Sequence, residues 1–225
     1  VGDGPEPIER APLPGRRPDP VPVEVRLPQL LGDTVGRRLA GRVRSAAKAF
    51  EAERYGDAAR TLRPIVDKAP EVPELRELYG LVLYRQGKWR DAVQHLETFR
   101  TLSGTAEQNP VLADCYRAMG RYQDADVLWE ELREASPDAA TVTEGRIVAA
   151  ASLVDRGRLQ EALRLLEAGW KTPKRPQEHH LRRAYALADL TERLGGLARA
   201  RELFGWVAGH DPDFADVGAR IAALR

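Results

Sequence analysis

Gly87-Lys88-Trp89-Arg90-Asp91-Ala92 is the stretch on which the reading of this chain turns. An apolar-periodic segment runs into the glycine, a large side chain follows two places later, and a small alanine comes three after that. The same order returns around Gly120 with Tyr122-Gln123-Asp124-Ala125, Gly157 with Leu159-Gln160-Glu161-Ala162, and Gly195 with Leu197-Ala198-Arg199-Ala200. Tyr55-Gly56-Asp57-Ala58 is a fifth copy, with Glu53 where the others place glycine. The closing alanines fall at 58, 92, 125, 162 and 200, so the spacings are 34, 33, 37 and 38. That is a helix-hairpin period, with small insertions before the last two units.

Each copy describes two helices folded back on one another. The glycine sits where a left-handed residue closes a first helix. Glu53 holds that place in the first copy, so its turn is expected to be closed in another way. Alanine lets the second helix approach the first, because antiparallel helices come close only over a small side chain. Four residues on, Leu62, Leu96, Trp129, Leu166 and Phe204 supply apolar bulk, and Pro70, Pro137 and Pro212 stop the second helices.

Working outward, the first thirty or so residues differ from the rest. Pro5, Pro7, Pro12, Pro14, Pro18, Pro20, Pro22 and Pro28 oppose helix and favour extended structure. This segment reads as a disordered or semi-rigid arm. The stretch Val21-Pro22-Val23-Glu24-Val25-Arg26-Leu27 has apolar side chains enough to lie along a groove of its own domain or a neighbour's. The chain begins at Val1 rather than methionine, and its upstream boundary stays open.

A hydrophobic content of 43% with 31% charged residues fits a soluble folded protein. The aromatic content of 6% disfavours a large β-sandwich or barrel core. A net charge of +1 supplies no field that would steer the chain to nucleic acid or an anionic membrane. Lysine stands only at Lys48, Lys68, Lys88, Lys171 and Lys174. The arginine excess is the mark of a GC-rich genome, although arginine forks also suit carboxylate and phosphate partners. No apolar run approaches membrane-spanning length. Cys115 has no second cysteine to pair with and reads as a small buried apolar residue.

These columns resemble the tetratricopeptide repeat family over roughly residues 39 to 212. The resemblance implies an all-α, right-handed α-α superhelix of about five helix-turn-helix repeats with a C-terminal capping helix. It divides the chain into a proline-rich arm over 1–38 and a solenoid over 39–225. The repeats fall at about 39–72, 73–105, 106–142, 143–180 and 181–212, with a cap over 213–225 that carries Val217, Ile221 and Leu224 on one face. Two columns depart from the family. Arg42, Arg76, Asn109, Arg146 and Ala184 stand where a large aromatic usually opens the first helix. Gly80, with Ala46, Ala113, Ala150 and Ala188 in the other copies, keeps the helix crossing small. Leu112-Ala113-Asp114-Cys115 through Arg121, together with Glu178-His179-His180-Leu181-Arg182, look like a group of actinobacterial repeat proteins with a charged, proline-rich leader. That implies an intracellular, cytoplasmic bacterial protein and brings no assigned activity.

In this family the first helices line a concave surface that takes extended or helical peptides. Carried over column by column, the resemblance selects Phe50 and Glu51; Leu81, Tyr84 and Arg85; Asp114 and Arg117; Val154 and Asp155; and Tyr185, Asp189, Glu192 and Arg193. Tyrosine and arginine are the side chains most often found at binding hot spots. The other reading is that Phe50 and Tyr84 pack against neighbouring helices. Chaperone-clamping relatives use lysine and asparagine on these faces, and this surface has neither. The loop Lys171-Thr172-Pro173-Lys174-Arg175-Pro176 reads either as a solvated connector that complements a helix C-terminus, or as an anion anchor built on Lys171, Lys174 and Arg175 for phosphate or an acidic peptide.

No catalytic motif with a mechanism attached occurs. His179 and His180 are adjacent, which on a helix sets them about 100° apart and prevents joint chelation. They belong to the first turn of a helix after Pro176, and His95 is expected to face solvent. The chain is therefore expected to be a non-enzymatic scaffold or adaptor that holds a protein segment in its groove, without cofactor or metal. Two competing readings are an RNA- or ribosome-associated factor using arginines and the basic loop 171–176, and a groove autoinhibited by docking of the N-terminal arm.

Overall fold

The computed structural model describes residues 21–224, and every regular element there is helical. Two compact units make it up, one ending at Asp124 and one beginning at Ala125. The first holds α1 (Val23–Leu31), α2 (Asp33–Glu51), α3 (Tyr55–Val66), α4 (Pro73–Arg85), α5 (Trp89–Ser103) and α6 (Asn109–Ala118). The second holds nearly all of α7 (Tyr122–Ala135), then α8 (Ala139–Asp155), α9 (Leu159–Glu167), α10 (Glu178–Arg193), α11 (Leu197–His210) and α12 (Val217–Ala223). This is an all-α helical-repeat solenoid fold.

The repeated columns form the core. The closing alanines Ala58, Ala92, Ala125, Ala162 and Ala200 are all buried, as are Leu62, Leu96, Trp129, Leu166 and Phe204. Each such large side chain contributes about 1.5–3 kcal/mol by leaving water. Within the repeated hairpins, two glycines mark close helix approach. A Cβ on Gly80 would meet Leu96 Cδ2 of α5 at 2.8 Å. A Cβ on Gly145 of α8 would overlap Leu132 and reach Trp129 Cε3 of α7 at 3.3 Å.

The turns that end the first helices share one construction, and here the first copy departs from expectation. The turn at Glu53 is not closed in another way: Glu53 takes φ 58°, beside 71° at Gly87, 73° at Gly120, 74° at Gly157 and 82° at Gly195. Its N–H donates to Phe50 O at 2.9 Å and Arg54 N–H to Ala49 O at 2.8 Å. Gly87 to Tyr84 at 2.9 Å and Lys88 to Leu83 at 3.0 Å repeat the pattern. Packing of the hairpin sets the turn, so the non-glycine residue accepts a conformation that costs it roughly 1–2 kcal/mol.

Residues 23–38 also depart from the extended arm that the prolines suggested. Of the residues placed in it, 23–38 are helical apart from Gly32, which ends α1 and precedes α2, while Pro5 through Pro20 lie outside the described residues. Pro22 stands before the first turn of α1, where its carbonyl accepts from Val25 N–H at 2.9 Å and Arg26 N–H at 3.0 Å. Pro28 lies inside the helix, a position that costs α1 a backbone hydrogen bond. Tertiary packing overrides that cost. Leu27 is fully buried in the core with Leu39, Ala40 and Val43, and a Cβ on Gly36 would overlap the Pro28 backbone. Arg26 of α1 pairs with Glu74 of α4 at 3.4 Å. Val23–Leu27 is thus helical, with Leu27 in the first core and Val23 packed against it, and is not an extended strap in a groove.

Candidate functional site

The expected partner-binding residues lie on first helices in both units, and the two sets are differently engaged. In the first unit Phe50, at the end of α2, packs edge-on against Tyr55 with ring centroids 5.5 Å apart. Arg85, at the end of α4, covers the Tyr55 ring at 4.8 Å and pairs with Glu53 at 3.4 Å. Tyr84 packs on Trp89 at 5.5 Å and donates its hydroxyl to Asp114 Oδ2 at 2.7 Å. Arg117 donates to the other oxygen of Asp114 at 2.8 Å. Burial, and then the Asp114 carboxylate, push the Tyr84 hydroxyl well above the ordinary tyrosine range. Tyr84, Asp114 and Arg117 thus form one hydrogen-bonded tie between α4 and α6, and Leu81 lies half-buried one turn before Tyr84.

In the second unit a cleft of about 230 Å³ opens between α8 and α10. Ile147, Ala150, Ala151, Val154, Ala186 and Leu190 give it an apolar lining, and Asp155, Asp189 and Arg193 are its polar residues. Four expected residues therefore converge: Val154, Asp155, Asp189 and Arg193. Arg193 donates to Asp189 at 2.8 Å, and Asp189 also accepts from Arg220 of α12 at 2.7 Å. Arg220 further pairs with Glu192 at 2.7 Å.

Tyr185 is not a wall of this cleft. Its ring lies 5.3 Å from Phe204 and 5.7 Å from Phe214, and its hydroxyl donates to Asp216 just before α12. Burial first and that carboxylate second push its hydroxyl up to about 12. Tyr185 with Asp216, like Tyr84 with Asp114, joins one first helix to the next segment that packs on its face.

The loop after α9 carries Lys171, Lys174 and Arg175 fully outward. The carbonyls that end α9 are satisfied from elsewhere. Arg146 of α8 donates to Leu165 O at 2.9 Å, and Arg183 of α10 donates to Leu166 O at 2.8 and 2.9 Å and to Ala168 O at 2.7 Å. Trp170 is covered by Arg183 at 5.4 Å and packs edge-on against Trp206 at 6.0 Å. Burial, and then Arg146, bring the Arg183 guanidinium down to about 10. Sequence reasoning missed both capping arginines. The signal was Arg146 in the column where an aromatic is usual.

His95 also departs from expectation. It is half-buried, packed edge-on against Tyr79 at 4.7 Å and bonded to Arg76 Nη1 at 3.0 Å. Burial, and then the Arg76 charge, hold its pKa below the usual histidine value. His180 accepts from Gln177 N–H at 3.0 Å and completes the cap of α10, so it serves the helix start. Cys115 is fully buried, and burial pushes its thiol up to about 12. Among the described residues no group of three or more His, Cys, Asp or Glu is placed to hold a metal, and no helix is long and apolar enough to cross a membrane.

Comparison with solved structures places this architecture among helical-repeat proteins. TTC0263, a thermophilic TPR protein of Thermus thermophilus, superposes with a TM-score of 0.63 at 17% identity, over 83% of this chain and 98% of that one. The nearly identical TPR-like repeats of a Podospora anserina protein assigned as kinesin light chain give 0.60 at 20% identity, over 76% and 94%. A monomeric IFIT1 holding the capped RNA m7Gppp-AAAA gives 0.58 at 15% identity, over 90% of this chain and 50% of that one. At these identities the likeness is one of fold. A comparison with curated proteins finds no significant match. The tetratricopeptide repeat profile matches residues 43–106 and 111–178, more than half of the sequence. With its five alanine-centred hairpins and its small helix crossings, the chain belongs to the tetratricopeptide repeat family.

Proposed function

We infer that the chain is a non-enzymatic adaptor that holds a protein segment against the exposed faces of its first helices. The tetratricopeptide fold is in general a protein-interaction scaffold. The observation that carries the finer reading is the convergence of Val154, Asp189 and Arg193 on one cleft of the second unit. An apolar floor beside a few fixed polar groups is the form that peptide and small-ligand sites commonly take. The Tyr84, Asp114 and Arg117 tie supports the same face in the first unit. It presets aromatic and charged groups, so little entropy is lost when a partner arrives.

Because Tyr84 holds α4 to α6 through Asp114, which Arg117 steadies, replacing them would disturb the fold as well as the face. Exposed Arg85 and Arg193 make a cleaner test. Affinity purification of the full chain, with a photo-cross-linker in place of Leu81 or Ala151, should attach a protein to those faces. R85E together with R193E should remove that protein while leaving helicity intact. Cross-links that survive the double charge reversal, or that carry RNA in place of protein, overturn the assignment.

A further inference from the structure

The repeat lets one hairpin serve as the template for another. Eight residues before the closing alanine stand Phe50 and Tyr84 in the first unit, and Val154 in the second. Three residues before it stand Tyr55, Trp89 and Leu159. The first two hairpins therefore each carry an aromatic pair, Phe50 with Tyr55 and Tyr84 with Trp89, both at 5.5 Å. The α8–α9 hairpin carries valine and leucine in the same places.

The next helix repeats the contrast. Leu78 of α4 packs on the first core with Phe50, and its counterpart in α10 is Ala186. Arg85 at the end of α4 covers the Tyr55 ring. Arg193 occupies the matching place at the end of α10, with Leu159 standing where Tyr55 does. The cleft between α8 and α10 thus lies where the first unit puts its own aromatic side chain, and Val154, Ala186 and Arg193 all line it. Its volume of about 230 Å³ is below the usual range for a drug-sized ligand and suits one large side chain.

We propose that this cleft receives one aromatic side chain of the bound protein segment, seated on Val154 and Ala186 and covered by the Arg193 guanidinium. An arginine over a ring face is attractive because the ring's quadrupole is negative there. The apolar floor supplies the burial that favours a ring over a polar group. Asp189 steadies Arg193 at 2.8 Å, as Glu53 steadies Arg85 at 3.4 Å over Tyr55.

The inference rests on the face assigned above, and the experiment separates the two. The full chain is titrated with N-acetyl-tryptophanamide and with N-acetyl-leucinamide while backbone amide shifts are followed by NMR. The tryptophan compound should shift the amides of Val154, Asp155, Ala186 and Arg193, binding about fivefold more tightly than the leucine compound. V154F, which copies Phe50, should fill the cleft and abolish those shifts while melting no lower than the wild type. R193Q should level the preference between the two compounds. Absence of cleft shifts, equal affinity for leucine, or undiminished binding by V154F overturns the proposal. A captured protein that cross-links to position 81 while V154F behaves as wild type would keep the face and remove the cleft. Tryptophan-amide binding in the cleft with no protein captured would do the reverse.

Discussion

The two units use the same columns to opposite ends. In the first, Phe50, Leu78 and Tyr55 fill the space between α2 and α4, and Arg85 closes over it. In the second, Val154 and Ala186 leave that space open beside Arg193. The same columns carry different side-chain volumes in the two units, and that difference accompanies a sealed core in one and a receptive surface in the other. A repeat array can therefore vary its binding face without altering its fold, because the alanines and glycines that set helix approach stand in other columns.

The strongest way to break this comparison is to attack the approach itself. G145V places a branched side chain against Leu132 and Trp129, and the second unit should lose about 3 kcal/mol in urea denaturation. G80A should cost less, since it adds a single methyl group, which meets Leu96 Cδ2 and Cγ at 2.8 Å and His95 Cβ at 3.4 Å. Equal losses would mean that the two crossings are not differently packed.

F50V converts the first unit toward the second. It removes a half-buried ring and should destabilise by about 1.5 kcal/mol, while V154F made in the other direction should not destabilise. A neutral F50V, measured by the same denaturation, would show that the first unit's interspace is not filled by that ring.

The tyrosine ties sharpen the comparison through pH. The folded-state pKa of Tyr185 is raised above the unfolded value of 10.0 to about 12. The stability it contributes is therefore complete below about pH 10 and is lost as pH rises through 12. Tyr84 follows the same sign. Ultraviolet titration should find Tyr79, Tyr84 and Tyr185 among the tyrosines that ionise late, and Y185F should remove one late ionisation and flatten the alkaline loss of stability. An unchanged number of late tyrosines in Y185F would refute the tie to Asp216.

The smallest effect belongs to the turns. E53G should stabilise the first unit by about 0.5–1 kcal/mol, because glycine adopts the left-handed conformation freely. The exposed pair with Arg85 that is lost is worth little. G157A in the second unit should lose about 1 kcal/mol at the matching position. A destabilised E53G in a thermal melt would mean that Glu53 is held there by its pairing.

Much of the fold was legible because it depends on volume and periodicity. Ala58, Ala92, Ala125, Ala162 and Ala200 recur at hairpin spacing, and a column of small residues beside a column of large ones has few packing solutions. The groove was legible in part. Val154, Asp189 and Arg193 were selected by column and meet at one cleft, whereas Tyr185, selected in the same way, reaches the segment before α12 instead. Which neighbour a tyrosine hydroxyl reaches depends here on a residue 31 positions away, and no local pattern carries that information.

By itself the sequence determined the hairpin period, the buried columns, and the family to which both belong. Local sterics and apolar spacing specify those wherever the residues stand. Tertiary structure decided the rest. It made α1 helical despite Pro28, because Leu27 finds a buried seat against α2. It forced Glu53 into a glycine's conformation, because the hairpin must close there. It turned a valine and an alanine far apart in sequence into a cleft under Arg193. The first two outcomes are balances between local preference and burial against a distant segment, and in both the burial is the larger quantity.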